Sequence, residues 1–600
     1  MKGLRILTKP EKIQKEGKTI LTGNKYLSLP NISSSSADIF EVNFLHFGQK
    51  SIIRVLGNNR PLIKFHIFLD DKEILLDGRE ISGKWKFDYK NYWIPTFSFS
   101  SDDIKLKYTI LSPIAFKGLI CNFNVENLSG EDKNLKIELE FNLDNVYYHI
   151  FGPHKIDGHT LSYISKWGNC FVTEFVTYSN LPIFAIALGT ETPLKVIKAK
   201  SKEKMTFYFG IGREGEGASL TQVDLIRKGY EKLFKKTKSL LKIWSLNDES
   251  IKVKEKLNRN LFFNYFYSLG KYIDNDKFTF LPSKSPEYYV SGAFWARDAF
   301  MWSFPALLLL DKKAARQAFI DCWEQYCENF GDHALYLGGT ILYPGFELDE
   351  LVSPVLALEK YIKATGDSSI IKELALKNGL EKIYLKILEK EEKGLYSTFL
   401  EPSDDPVVYK FLTYDNVLVW KAFKIGKWLS QIKIIDSKID FESKAKELRN
   451  KIIKNCTVDG PFGKMFAWSV DLEGNFLITD NPPGSLLLLP YYGFCNYDDK
   501  LYLNTVKWIN SDLNPYHFRG RFGGNGNEHA ENPHVFHICN KLLTDPDFPI
   551  DYIADIPLDD GLACESYDKD TGLVSTGAAF ASAAGFLAYS IYLRKSKAEQ

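Results

Sequence analysis

The chain has 600 residues, 45% of them hydrophobic and 25% charged, which is enough for more than one compact core. Lys and Arg total 76 against 75 Asp and Glu, and a net charge of +1 gives no pull towards nucleic acid or an anionic membrane. Eight cysteines with no CxxC pair fit reduced core thiols rather than a disulfide framework.

The opening "MKGLRILTKPEKIQKEGKT" has no apolar core of signal-peptide length and no later run reads as membrane-spanning, so a cytoplasmic protein is expected. From there to about residue 215, short alternating runs such as "SIIRVLG", "LIKFHIFLD" and "LKIELEFNL" are separated by turns such as "NNRP", "DDKE" and "GPHKIDGH". That pattern predicts an antiparallel β-sandwich over 1–217. Residues 220–246 repeat apolar positions at helical spacing with a basic opposite face, which predicts a linker helix within 218–249. Helical segments then dominate 250–600: 251–270, 294–309, 312–329, 350–365, 368–389, 413–432, 438–454, 483–492, 501–510, 532–543 and 575–594. Their pairing predicts an α/α barrel, so the fold class is α+β, a sandwich followed by a barrel. In such a ring the loops at one end converge on a funnel, where function collects.

Within this half, "SGAFWARDAFMWSFPALLLL" (291–310) sets Arg297 and Asp298 in an apolar run between Trp295 and Trp302, and buried charges need a partner or a task. At helical spacing at least one of the two tryptophans packs in the core. Acidic residues also cluster beside Gly, Pro and aromatics in "YPGFELDELVSPV", "FLITDNPPGSLLLLPYYGF", "NPYHFRGRFGGNGNEHAENPHVFH" and "GLACESYDKDTGLVSTGAAF". Two carboxyl groups across a cleft are the equipment for glycosidic-bond cleavage, although Asp349 and Glu350 also suit a helix first turn. Asp415 in "LTYDNVLVWKAF" reads as a helix cap. His529, His534 and His537 lack the spacing of a zinc helix, so no metal is expected, and "GRFGGNGN" lacks the strand that a nucleotide loop would follow.

Five of these stretches, in one order over about 300 residues of the helical half, resemble glycoside hydrolase family 125, the metal-independent exo-α-1,6-mannosidases. They are "FWARDAFMWSFPALL", "FELDELVSPVLALEKYIKATGD", "MFAWSVDLEGNFLITDNPPGSLLLLPYYGF", "NPYHFRGRFGGNGNEHAENPH" and "ACESYDKDTGLVSTGAAFASAAGF". The layout is also similar to glucoamylases and to the glucosidase part of glycogen debranching enzymes, which share an (α/α)6 barrel. The resemblance implies an inverting exo-α-glycosidase that needs no cofactor and releases a terminal mannose or glucose from an oligosaccharide or glycoside. Asp349 in "ELDEL" matches the family's general acid and Glu565 in "CESY" its general base. Inversion places two such carboxyls roughly 6.5–9.5 Å apart. Trp295, Arg297, Asp298, Glu347, Asp480, Glu528 and His529 are the implied sugar-binding residues. The loops that shape the terminal-sugar pocket depart from the family: "TDNPPG" stands for "DDANVP" and "NEHAENPH" for "SPHTG". An amylo-α-1,6-glucosidase or glucoamylase-like enzyme is one alternative and a non-catalytic carbohydrate-binding relative another. The expected partner is the sugar substrate, with no nucleic acid or membrane, and a homodimer is left open.

Overall fold

The computed structural model describes residues 19–74, 86–190, 194–246, 251–433, 435 and 438–598. Residues 1–18, 75–85 and 191–193 of the expected first domain and 247–249 of the expected linker lie outside them.

The N-terminal region is strand-rich and antiparallel. An eight-stranded sheet is built around Gly118–Asn127, which pairs with Ile104–Leu111 on one side and Lys202–Gly212 on the other. A six-stranded sheet (Thr19–Gly23 through Pro153–Lys155) and a four-stranded sheet around Lys133–Phe141 and Ile63–Leu69 are linked by the Ile39–Ile63 bridge. These sheets face the eight-stranded one. Phe65 meets Phe123 at 5.0 Å between ring centroids, and Phe44 meets Phe184 at 5.1 Å. Alternating residues such as Leu106, Tyr108 and Ile110 fill the space between the layers, as the period-two pattern dictates.

The predicted linker helix is two helices, α1 (Gly215–Lys228) and α2 (Tyr230–Trp244). Gly229 separates them at φ 72, a conformation that only glycine adopts without strain. Among the described residues eleven more helices follow: α3 (Ile251–Phe263), α4 (Phe304–Leu310), α5 (Lys312–Tyr326), α6 (Leu348–Thr365), α7 (Leu374–Glu389), α8 (Thr413–Gln431), α9 (Phe441–Asn455), α10 (Lys500–Ile509), α11 (Val535–Thr544), α12 (Asp551–Asp555) and α13 (Ala581–Ala598). α6 and α8 are buried over most of their length, whereas α7 and α9 bury one stripe. α4 packs on α6, α6 on α8, α11 on α13, and α13 back on α4.

Three local differences from the sequence reading have identifiable causes. The expected helix 483–492 is two short 3₁₀ turns, Pro482–Gly484 and Leu486–Leu488, because Pro482, Pro483 and Pro490 cannot donate to a helix ladder. The last helix starts at Ala581 rather than 575, since Val574–Thr576 pairs as a strand with Ser566–Tyr567. Between α5 and α6 lies a hairpin, Asp332–Tyr336 with Ile341–Phe346, that delivers the chain to the "ELDEL" turn.

The two regions share one apolar cluster, in which Leu21, Ile52 and Trp93 join the helical core. Trp93 stacks on Phe266 at 5.1 Å, and the Tyr267 hydroxyl donates to the Thr22 carbonyl at 2.8 Å. The buried Lys284 ammonium donates to the carbonyls of Asn24 (2.8 Å) and Lys25 (3.2 Å).

Candidate active site

Arg297 and Asp298 open a π-helical turn, Asp298–Ser303, that runs into α4. Such turns carry an extra residue that re-aims side chains and recur at functional sites. The Arg297 backbone N–H has no partner within its own helix and donates to Glu350 Oε2 at 2.9 Å. The side chain is 2% exposed and does not pair with its neighbour Asp298. Its Nη1 donates to Glu347 Oε2 (2.7 Å) and Asp349 Oδ2 (3.0 Å), and its Nη2 to Asp404 Oδ1 (2.5 Å). The guanidinium also lies over the Trp302 ring, 5.4 Å from its centroid.

So many carboxyls in one dry volume cannot all be charged. Burial, then the charges of Glu347 and Asp349, push Glu350 well above the usual carboxylate range despite Arg297. Burial and those same two charges do likewise to Asp415. Asp404 is also desolvated, but Arg297, His333 and His529 outweigh that and hold it below its ordinary value. His333 shares a short hydrogen bond with Glu347; burial alone would lower its pKa, yet Glu347 and Asp404 raise it to about 9. His333, Glu347 and Asp404 are close enough to hold a metal ion, but the Arg297 guanidinium already neutralises two of those carboxylates. The residues present fit an ion-pair network better than a cation site.

A small pocket opens beside this network, lined by Asp298, Asp404, Trp295, Tyr288, Tyr289 and His529 among others. Asp298 accepts from the Ser582 hydroxyl at 2.6 Å, and burial raises its pKa to about 7 against the pull of Arg297. Asp404 sits at φ 70 in a tight turn closed by Asp404 N–H to Glu401 O and Glu401 N–H to Asp405 O, both 2.8 Å. A non-glycine residue in that region is strained and needs such over-determination. On the same turn, burial brings Glu401 to about 7 while it accepts from the Trp468 indole at 2.7 Å.

Glu565 approaches this pocket through two of its wall residues. Its Oε1 accepts from the Tyr289 hydroxyl at 2.7 Å and lies 3.9 Å from His529 Nε2. Burial would lower the His529 pKa, but Asp405 and then Glu565 raise it to about 9. Glu565 Oε2 is buried and has no hydrogen-bond partner among the described residues. Gly577, at φ 57, presses on this side chain: a Cβ there would stand 2.5 Å from Glu565 Cβ.

The other sequence-predicted residues separate into groups. Trp295 lines the pocket, whereas Trp302 packs in the core against Phe536 at 4.1 Å. Glu347 and Asp349 are fully buried on Arg297 rather than at the pocket surface. Asp480 is turned into its own loop, where Ser485 Oγ and the Leu486 N–H, both 2.8 Å away, occupy its oxygens. Glu528 is exposed beside His529. His534 caps α11, accepting from Phe536 N–H at 3.3 Å. The capping role expected of Asp415 does not occur: neither carboxyl oxygen has a partner among the described residues. Asp404, Asp405, Glu401, His333 and Tyr289 were not singled out by the sequence reading. The signal that marks the first three is an acidic pair bracketed by Pro402 and Pro406 in "EPSDDP".

This fold, strands followed by a ring of helices, is shared with several solved structures. A bacterial glucoamylase complexed with acarbose superimposes with a TM-score of 0.65 at 12% identity, covering 98% of this chain and 95% of its own. A putative kojibiose phosphorylase from the human microbiome gives 0.61 at 14% identity, covering 95% and 86%. The sequence points more narrowly: residues 386–547 match the family of metal-independent α-mannosidases, glycoside hydrolase family 125. That segment includes the Glu401–Asp405 turn and His529, while Asp349 and Glu565 lie outside it. A Streptococcus pneumoniae structure from a study of metal-independent α-mannosidases, a non-productive complex with α-1,6-mannobiose, superimposes at 0.52 with 19% identity, covering 57% of this chain and 94% of its own. The meiotically up-regulated gene 157 protein of Schizosaccharomyces pombe is 34% identical over 175 residues, 27% of this chain. The match covers 34% of that protein, so this chain spans about a third of its curated relative. The resemblance to family 125 is thus present in the chain, and it supports a glycosidase. Among the described residues, no helix is long and apolar enough to cross a membrane.

Proposed function

We propose that the chain is an inverting, exo-acting α-glycoside hydrolase, with a two-sheet sandwich and a barrel of six helical hairpins, that releases a terminal hexose. One observation carries the reading: a single pocket has Glu565 directly behind its wall and connects to Asp349 through Asp404 and Arg297. Its wall residue Asp404 shares Arg297 with Asp349, and its wall residues Tyr289 and His529 adjoin Glu565. Asp298 and Asp404 supply acceptors for adjacent sugar hydroxyls, and Trp295 and Tyr288 supply flat apolar faces.

In this mechanism the general acid comes from the carboxyls held by Arg297: Asp349 is the member matched by sequence, and Asp404 is the one that lines the pocket within reach of the glycosidic oxygen as the bond to the anomeric carbon breaks. Glu565 is the general base; its unpartnered Oε2 takes a proton from the attacking water while Tyr289 fixes Oε1. The match to family 125 over 386–547 favours mannose as the released sugar, with glucose the alternative. The test is hydrolysis of α-mannosides and α-glucosides by wild type, Asp349→Asn, Asp404→Asn and Glu565→Gln, with the first anomer released read by NMR. Each substitution is expected to lower kcat/KM by at least about a hundredfold, with the β-anomer appearing first. Activity that survives these substitutions would remove the assigned carboxyls. Sugar binding by a wild type that hydrolyses nothing would instead make the chain a binding protein.

A further inference from the structure

The pocket is not built by the helical region alone. Phe151 lines it, and Phe151 belongs to the strand-rich region, in the turn between strands Asn145–His149 and Pro153–Lys155. The fold fastens that turn at the pocket mouth. The Gly292 N–H donates to the Ile150 carbonyl at 3.1 Å. A Cβ on Gly292 would stand 1.8 Å from the His149 carbonyl oxygen, so the two backbones touch just upstream of Trp295 and Arg297. Gly152, at φ 109, bends the chain away immediately after Phe151.

Placed in this way, the Phe151 ring meets Tyr343 edge to face, with centroids 6.2 Å and planes 88° apart. Tyr343 in turn packs against His333, the partner of Glu347, at 5.8 Å. Both aromatic rings are only half buried, so they leave apolar surface at the pocket. Away from this corner the wall carries the polar groups Asp298, Asp404, His529 and Tyr289 together with the faces of Trp295 and Tyr288, a terminal-sugar surface separate from the Phe151–Tyr343 corner. The two surfaces suit two different parts of a glycoside. Carboxylates hold the hydroxyls of a terminal sugar, whereas a flat apolar corner stacks against the ring on the far side of the bond to be cut.

We propose that Phe151, together with Tyr343, is the stacking platform for the leaving-group sugar, so that the strand-rich region sets which aglycones the enzyme accepts. This rests on the glycoside hydrolase reading above, and the experiment separates the two. Substrates with and without a leaving-group ring are compared: α-1,6-mannobiose and isomaltose against α-mannosyl and α-glucosyl fluoride. Phe151→Ala is expected to lower kcat/KM for the preferred disaccharide about ten- to fiftyfold, mainly through KM. The fluoride of the same sugar is expected to change less than about threefold. Phe151→Trp keeps a flat ring and should restore the disaccharide, which a purely structural role would not produce. Equal losses on disaccharide and fluoride, or no loss on either, would overturn the platform while leaving the hydrolase reading intact. A wild type inactive on all four substrates would overturn both.

Discussion

Replacing Arg297 by Met tests whether this guanidinium is the counter-charge that lets the carboxyl cluster exist. Met fills much of the same volume but leaves Glu347 Oε2, Asp349 Oδ2 and Asp404 Oδ1 without the donor that now lies 2.5–3.0 Å away. Removing one partner of a buried ion pair costs about 3–5 kcal/mol, and three stranded acceptors place this site at the upper end of that range. The stranded groups can escape the cost by binding protons. A carboxyl whose folded pKa is raised contributes stability at low pH and loses it as pH rises through that value. Urea unfolding followed by tryptophan fluorescence should therefore show Arg297→Met about 4–5 kcal/mol less stable than wild type at pH 8 and clearly closer to it at pH 5. Arg297→Lys should fall between, because one ammonium cannot reach the acceptors of both Nη1 and Nη2. A loss below about 1 kcal/mol at pH 8, or an equal loss at both pH values, would refute this account of the cluster.

Two further outcomes follow from the same geometry. Gly577→Ala drives a Cβ into Glu565, so kcat should fall at least about tenfold with little change in the circular dichroism spectrum; unchanged kcat would mean that Glu565 is not held in place by this contact. Urea midpoints from pH 4 to 10 should fall on the alkaline side, whereas below pH 7 the buried Asp298 and Glu401, raised to about 7, oppose the buried histidines. Buried His149, His534 and His537, depressed to about 3, withdraw stability as pH falls below 6.5, while His333 and His529, raised to about 9, lose theirs as pH rises from 6.5 through 9. His333→Gln should flatten the alkaline side, and an alkaline limb of unchanged slope would count against its charged state.

What sequence made legible was whatever has a local period. Alternation marked strands such as Ile63–Leu69 and Lys133–Phe141, and helical spacing marked α6 and α8, with Gly366 at φ 72 stopping α6. Short elements held by distant partners were less visible. The Asp332–Phe346 hairpin has only five- and six-residue strands, and the 3₁₀ turns after Asp480 look apolar enough for a helix. Site residues divide in the same way. The Arg297–Asp298 pair stands out against an apolar run, but its partners do not, because Ser582 lies 284 positions away and Asp404 lies 107. Asp480 looked like a sugar ligand because a carboxylate in a Pro-rich loop gives no hint that Ser485 and Leu486 already occupy it. Phe151 sits in what reads as a plain turn, and nothing local shows that the turn rests on Gly292.

The Lys284 ammonium has a consequence for the order of events during synthesis. Its acceptors, the carbonyls of Asn24 and Lys25, are made about 260 residues earlier. A chain that folds as it emerges has the strand-rich layers in place before the first turn of the ring appears. Those layers then offer an edge already shaped to receive the Lys284 side chain, and the ring closes against it. In a helical half made without that edge, Lys284 would lose both carbonyl acceptors and the residues that cover it. The strand-rich region thereby presents a ready-made seat for the start of the ring.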